Sequence, residues 1–262
     1  MPIAKLPGLK MNYEIRGIGR PLILIMGLGS DHNGWKPHVC EFEKHFQCIL
    51  VDNRGAGLTD SPKGPYTCET MARDVLALMD HMGIESAYVN GCSMGGAIAQ
   101  EMAILAPSRV SKLVLTASFP KMDTYAKRLC DNFENAYQSM SLNQFQMLAN
   151  YEIYSREYFN AHEQEIQETE QMLSTGMLRE AYSSQVAALK TFDTLGRLSL
   201  ITADTLIYAA EQDGFVSEEM VRRMAAEIPK SELIVVKGKG HAFHFEIAQE
   251  YNKTVTDFLK RW

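Results

Sequence analysis

Gly91-Cys92-Ser93-Met94-Gly95-Gly96 stands between an apolar run ending at Val89 and a helical pattern beginning at Ala97. A G-x-S-x-G sequence between strand and helix is the pattern of a nucleophile elbow, a strained turn that carries its serine on top of a sheet. Small residues at Gly91 and Gly95 let the strand and helix backbones approach closely. Ser93 Oγ would then project above the sheet, and the N-terminus of the following helix favours negative charge developing there. The plainer alternative is a glycine-rich turn with a capping serine, since the short pattern alone is weakly specific.

Outward from that turn, strand-length apolar runs alternate with amphipathic helices. Strands are expected at 21–26, 48–51, 87–89 and 112–116, and helices at about 35–45, 67–82 and 94–105. Short, continuously apolar runs suit a parallel sheet covered on both faces, and their alternation with helices indicates βαβ units. From about 119 to 192 the alternation stops, and helical patterns at about 125–139, 142–153, 162–173 and 177–189 follow one another. The rhythm returns with strands at 206–210 and 233–236 and helices at about 218–228 and 247–259. A hairpin around 9–15 would supply antiparallel edge strands. The expectation is an α/β fold: a mostly parallel sheet with helices on both faces, its core formed by 1–118 and 193–262. Residues 119–192 form a helical lid over the sheet's C-terminal edge, where open α/β sheets bind ligands.

A chain of 262 residues allows one large domain or two small ones, and its 46% hydrophobic and 22% charged content excludes wholesale disorder. The net charge of -6 and the lack of any Lys/Arg block argue against nucleic-acid or anionic-membrane partners. The N-terminus has no apolar h-region, and no apolar run reaches about 18 residues, so a soluble, cytoplasmic protein is expected. The five cysteines (Cys40, Cys48, Cys68, Cys92, Cys130) are scattered with no CxxC, which points to reduced thiols and not to disulfides or zinc.

A serine needs a base, and the base an orienting carboxylate. In a nucleophile-elbow sheet these follow in the order Ser, Asp/Glu, His, each in a loop after a late strand. Asp213 follows the strand at 206–210, and His241 follows the strand at 233–236 in Lys237-Gly238-Lys239-Gly240-His241. Glu211 is the rival carboxylate, read as a polar residue at the strand end. His244 is the rival base, read as a pocket or packing residue. His241 and His244 form an H-x-x-H, but no third ligand of fitting spacing accompanies them, so no metal is assigned. Two backbone N–H groups would complete an oxyanion hole: that of Met94, after the serine, and that of Leu28 in Met26-Gly27-Leu28-Gly29-Ser30. The latter segment lacks the spacing of a dinucleotide or phosphate loop.

With these residues in place the chain resembles the α/β-hydrolase superfamily over nearly its whole length. Asp52-Asn53-Arg54-Gly55-Ala56-Gly57-Leu58-Thr59-Asp60-Ser61-Pro62 is similar to the family's D-x-R-G-x-G-x-S-D segment, to which a structural turn and no catalysis is assigned. Within the superfamily it resembles small, lidded, cofactor-free serine hydrolases: carboxylesterases, 3-oxoadipate enol-lactonase types, haloperoxidase/perhydrolase types and carbon–carbon bond hydrolases. Serine at the elbow argues against haloalkane dehalogenases and epoxide hydrolases, which carry Asp there. Two departures stand out. Met26-Gly27 replaces the family's common His-Gly, so the oxyanion loop must be supported differently. Ala242 replaces the Trp that often follows the catalytic His in carbon–carbon hydrolases, which ranks those below esterases and lactonases.

The resemblance implies hydrolysis of a small ester or lactone through an acyl-enzyme on Ser93, with His241 as base held by Asp213, and with no cofactor. The alternatives are perhydrolysis, carbon–carbon hydrolysis, or a hydrolase-fold binding protein with vestigial activity. The lid segment supplies Phe119, Tyr125, Phe133, Tyr137, Phe145, Tyr151, Tyr154, Tyr158 and Phe159, with Met122, Met140, Met147, Met172 and Met177. Most should pack the lid onto the sheet, a minority should line an apolar pocket, and Phe215 is the expected pocket wall outside the lid. Adaptable methionines suggest a deformable cover. Exposed Met/Tyr faces leave a homo-oligomer open.

Overall fold

The computed structural model describes residues 2–172 and 176–261. Its eight strands are β1 (Ile3–Leu6), β2 (Leu9–Arg16), β3 (Arg20–Ile25), β4 (Phe46–Val51), β5 (Ala87–Cys92), β6 (Val110–Thr116), β7 (Asp204–Ala210) and β8 (Ser231–Val236). They form one sheet in the order β1-β2-β4-β3-β5-β6-β7-β8. β1 and β2 pair antiparallel, as do β2 and β4, and every other pairing is parallel. The expected hairpin is therefore present at the edge, but 9–15 forms only one of its arms; Ile3–Leu6 is the other.

The first helices are α1 (Lys36–Phe42), α2 (Cys68–His81) and α3 (Met94–Leu105). Five more, α4 (Thr124–Ser139), α5 (Leu142–Ile153), α6 (Arg156–Ala161), α7 (Glu163–Met172) and α8 (Arg179–Thr191), lie between β6 and β7. The chain closes with α9 (Glu218–Glu227), α10 (Phe243–Glu246) and α11 (Ala248–Lys260). Two apolar cores explain why the strands read as continuous apolar runs. Ile23, Ile25, Ile49 and Val51 pack with Val75 of α2, Ile98 of α3 and Val221 of α9. Their neighbours Leu22, Leu24, Cys48 and Leu50 face the opposite way and pack with Phe42 of α1 and Val255 of α11. Alternate side chains thus meet different cores, and neither face can be polar.

Several bounds differ from the sequence pattern: β4, β6, β7 and β8 each begin two residues earlier than expected, and β5 runs three residues further, to Cys92. The helix expected over 35–45 is a 3-10 turn (His32–Trp35) followed by α1, which stops at Phe42; Pro37 sits in its first turn, where a missing N–H costs nothing. The helix expected from about 177 begins two residues later, at Arg179. The stretch after Ile153 holds an extra helix, α6, started by Ser155, whose Oγ accepts from the Tyr158 N–H. Serine at that position is an N-cap signal that an apolar periodicity does not detect in a helix this short. The expected helix end at Leu173 lies outside the described residues. Among those described, no helix is long and apolar enough to cross a membrane.

Candidate active site

β3 is flanked by β4 on one side and β5 on the other, so consecutive connections leave it in opposite directions. Crevices at the C-terminal ends of strands beside such a reversal are where α/β sheets take ligands. Ile25 at the end of β3 is in register with Gly91 near the end of β5, which sets the Met26–Ser30 turn against Ser93. Ser93 joins β5 to α3 with φ 54 and ψ −116, a conformation that L-residues adopt only when held there. Neighbouring groups hold it. Its N–H donates to Thr116 O at 2.8 Å, and its carbonyl accepts from Ser118 Oγ at 3.0 Å and the Gly96 N–H at 2.9 Å. The glycines are sterically required: a Cβ on Gly91 would lie 2.2 Å from Gly95 O, and one on Gly95 would lie 2.1 Å from Ile25 O.

Asp213 and His241 extend from neighbouring strands, β7 and β8, and meet with Asp213 Oδ2 2.7 Å from His241 Nδ1. The other oxygen, Oδ1, accepts the N–H groups of Phe215 (2.8 Å) and Val216 (3.0 Å), so the carboxylate cannot rotate freely. A carboxylate on Nδ1–H leaves Nε2 as the basic nitrogen. Ser93 and His241 open onto one cavity. Among the described residues no hydrogen bond joins Ser93 Oγ to the ring, a contact often loose before substrate binds. Glu211 lies one residue beyond β7 and accepts from the Gly238 N–H, with no bond to His241.

His244 lines the cavity but has no carboxylate partner; its Nε2 faces Cys92 Sγ at 3.7 Å, and its ring centroid is 5.5 Å from that of His38. Burial, with His38 and His241 nearby, holds His244 well below the usual imidazole range. The described residues contain one group whose side-chain ligand atoms cluster as a metal site would, Asp31, His32 and Asp52. Asp52 is already committed there: it accepts from the His32 N–H, His32 Nδ1, Asn12 Nδ2 and the Leu58 N–H. This matches a structural turn for the Asp52–Pro62 segment. Four cysteines are buried free thiols, while Cys40 is exposed.

Met94 is the first residue of α3, so its N–H has no partner within the helix. Leu28 lines the cavity from a turn in which the Ser30 N–H donates to Gly27 O at 3.3 Å. Two side chains that no sequence signal singled out tie the inserted helices to these loops. Gln185 of α8 accepts from the Gly29 N–H and donates to Arg54 O. Glu246 of α10 accepts from the Ser155 N–H (2.7 Å), Ser155 Oγ (2.6 Å) and the Gly240 N–H (3.2 Å), beside His241. The Ala242 N–H donates to Ile153 O at 2.7 Å, closing the same junction.

The cavity measures about 240 Å³ and is walled by the inserted helices on one side and the strand-end loops on the other. Phe119, Phe133, Tyr137, Phe145, Met122 and Met177 line it from the insert, and Phe215 lines it from the sheet side. Phe215 lies 4.9 Å from the His241 ring and 5.3 Å from Phe133, ring centre to ring centre. Tyr182 of α8 lines it as well, while several other aromatics of the insert lie elsewhere. Tyr125 and Tyr151 are exposed, as are Met140 and Met147; Tyr154 stacks on Tyr158, Tyr158 on His162, and Phe159 on Tyr151 of α5. The side chain of Met172 lies outside what is described. No Asp, Glu, Lys or Arg lines the cavity among the described residues.

Comparison with known proteins yields one family model, the alpha/beta hydrolase fold, matched by residues 20–247. A protein of Azorhizobium caulinodans named "Putative carbamate hydrolase RutD" is 27% identical over 259 residues, 98% of either chain. The crystal structure of an enol-lactonase from Burkholderia xenovorans LB400 superimposes with a TM-score of 0.91 at 24% identity, covering 99% of this chain and 100% of that one. A thermophilic esterase from Thermogutta terrifontis does so with a TM-score of 0.88 at 23% identity, over 99% and 98% of the two chains.

Proposed function

Because the chain belongs to the alpha/beta hydrolase fold family, we propose that it is a serine hydrolase of small, uncharged carboxylic esters or lactones. The observation that carries this reading is the 2.7 Å contact between Asp213 and His241, with His241 and Ser93 on one cavity. His241 Nε2 takes the proton of Ser93 Oγ as the oxygen attacks the substrate carbonyl. The Leu28 and Met94 N–H groups stabilise the tetrahedral oxyanion, and the imidazolium returns its proton to the departing alkoxide. Water, deprotonated by His241, then cleaves the acyl-Ser93 ester and releases the acid. Asp213 keeps Nδ1 protonated throughout and stabilises the imidazolium. The insert acts as a lid that keeps bulk water from the acyl group.

The apolar walls and the lack, among the described residues, of any lining carboxylate, Lys or Arg support an uncharged acyl group, since an ionised substituent would be desolvated there without a partner. A carbamate offers the same kind of carbonyl, and the name of the Azorhizobium relative makes it the second class for a substrate panel. Linear esters, lactones, enol-lactones and carbamates are compared on the wild type and on Ser93→Ala. The variant is expected to lose about 10⁴-fold or more in kcat on the preferred substrate, because triad members act as a unit. A fluorophosphonate should label the wild type at Ser93 and not the variant. Near-native turnover by Ser93→Ala, or no labelling of the folded wild type, would overturn the assignment in favour of a binding protein.

A further inference from the structure

We propose that Gln185, on the inserted helix α8, is a positioning residue for the oxyanion turn. The proposal rests on the reading of Ser93 as nucleophile and of the Leu28 N–H as an oxyanion donor. Gly27–Ser30 closes with the Ser30 N–H on Gly27 O, and Gly29, the third residue, has φ +74, as a type II turn requires. Type I and type II turns differ by a flip of their central peptide, here the Leu28 carbonyl and the Gly29 N–H. Met26 gives that peptide no polar support, because its side chain is packed into the core against Gly34 and Trp35.

Gln185 supplies the support from a distant part of the chain. It is 0% exposed; its Oε1 accepts the Gly29 N–H at 3.1 Å and its Nε2 donates to Arg54 O at 3.0 Å. Both ends of the amide are used, so neither can turn without stranding a buried polar group. Arg54 is itself fixed by two 2.7 Å bonds to Asp74 of α2. The rest of this face of α8 fits the same two loops closely. A Cβ on Gly29 would lie 3.1 Å from the Tyr182 ring, and one on Gly55 would lie 2.8 Å from Ala181 Cβ. The turn is thus tied to α8 at its central peptide, one bond away from Leu28. Without that tie the turn would shift as a unit and carry the Leu28 N–H with it, and an oxyanion donor out of position is missed only where charge develops, in the tetrahedral state. The lid then does more than cover the cavity: the donor is in place only while α8 is seated.

Gln185→Met keeps the length of the side chain and removes both hydrogen-bonding groups, whereas Gln185→Glu keeps an acceptor for the Gly29 N–H. On an activated ester, Gln185→Met is expected to lose about 10²-fold in kcat, the scale of one oxyanion donor, with KM changed by no more than about threefold. Its affinity for a boronic acid that forms a tetrahedral adduct on Ser93 should fall by the same factor as kcat. Gln185→Glu should recover about tenfold or more of that loss. Circular dichroism and urea melts check that each variant is folded, and Gln185→Leu replaces Gln185→Met if the latter is not. Wild-type kcat and boronate affinity in the folded Met or Leu variant would overturn the proposal. So would a loss expressed in KM alone, or a Glu variant no better than Met. Failure of the underlying reading looks different, because the wild type itself would then resist fluorophosphonate labelling at Ser93.

Discussion

Strain at Ser93 is of a kind that costs about 1–3 kcal/mol, and it persists because backbone and side-chain partners from β6, the following loop and α3 hold both polar groups of the residue. A second set of buried groups lies behind that residue and bears on stability. His38 is 0% exposed, its Nδ1 bonded to Asn252 Oδ1 at 2.8 Å and its Nε2 without a partner; the Nδ1 of the neighbouring His244 is also unpaired. Desolvation lowers the His38 pKa from 6.5 to about 4 and pushes His244 down as well. Between those two pH values the unfolded chain binds a proton at His38 that the folded protein refuses. Stability is therefore complete above pH 6.5 and falls as pH drops towards about 4, by about 3 kcal/mol from His38 alone. Urea midpoints at about pH 7.5 and about pH 4.5 measure this fall. His38→Phe should show a clearly shallower one, and parallel curves for the two proteins would exclude His38 as the cause. The two histidines were visible in the sequence, but their burial together was not, because α1, which carries His38, and α10, which carries His244, come together only in the folded chain.

The junction between α5 and α6 shows how one side chain can couple elements. The Glu246 side chain is 0% exposed; it receives three donors, two from Ser155 at the start of α6 and one from Gly240 beside His241, and lies 3.7 Å from Lys239 Nζ. Glu246→Ala would leave these donors without an acceptor in a region closed to solvent, a loss of about 3 kcal/mol. Glu246→Gln keeps one acceptor and most of the shape, and should lose about 1 kcal/mol. Urea unfolding at constant m-value reads both, and a Glu246→Ala loss as small as that of Glu246→Gln would mean that the buried donors do not depend on an acceptor at this position. The short helix α6 and this latch escaped the sequence pattern for one reason. A serine cap and a glutamate ninety-odd positions later are each common, and only their meeting carries information.

At the scale of the molecule, the sheet brings four loop ends to one edge and the insert closes over them, leaving a cavity of about 240 Å³. A finite apolar cavity imposes a chain-length optimum. Each added acyl methylene should raise kcat/KM by up to about fourfold, from about 0.8 kcal/mol of burial, until the cavity is full. Phe133 stands in the cavity wall against Phe145 and Phe215. Phe133→Ala should move the optimum to longer acyl chains and cost about 3 kcal/mol of stability. A p-nitrophenyl ester series of increasing length tests this, and an unchanged optimum in the folded variant would place the acyl group elsewhere.

Local backbone chemistry is written in short range, so the strands, most helices, the G-x-S-x-G turn and the loops bearing Asp213 and His241 could be read along the chain. The apolar runs had to be continuous because both faces of the sheet are buried, and the elbow glycines had to be small because backbones pass within contact of their Cα atoms. Tertiary structure decided which polar groups support that machinery. Gln185 reaches Gly29 across 156 positions, and Glu246 reaches Ser155 across 91. Long-range hydrogen bonds leave no periodicity and need no special residue type. Folding also chose which of the insert's aromatics face the cavity: Phe133 and Phe145 turn inward and Tyr125 and Tyr151 outward according to how α4 and α5 pack against their neighbouring helices.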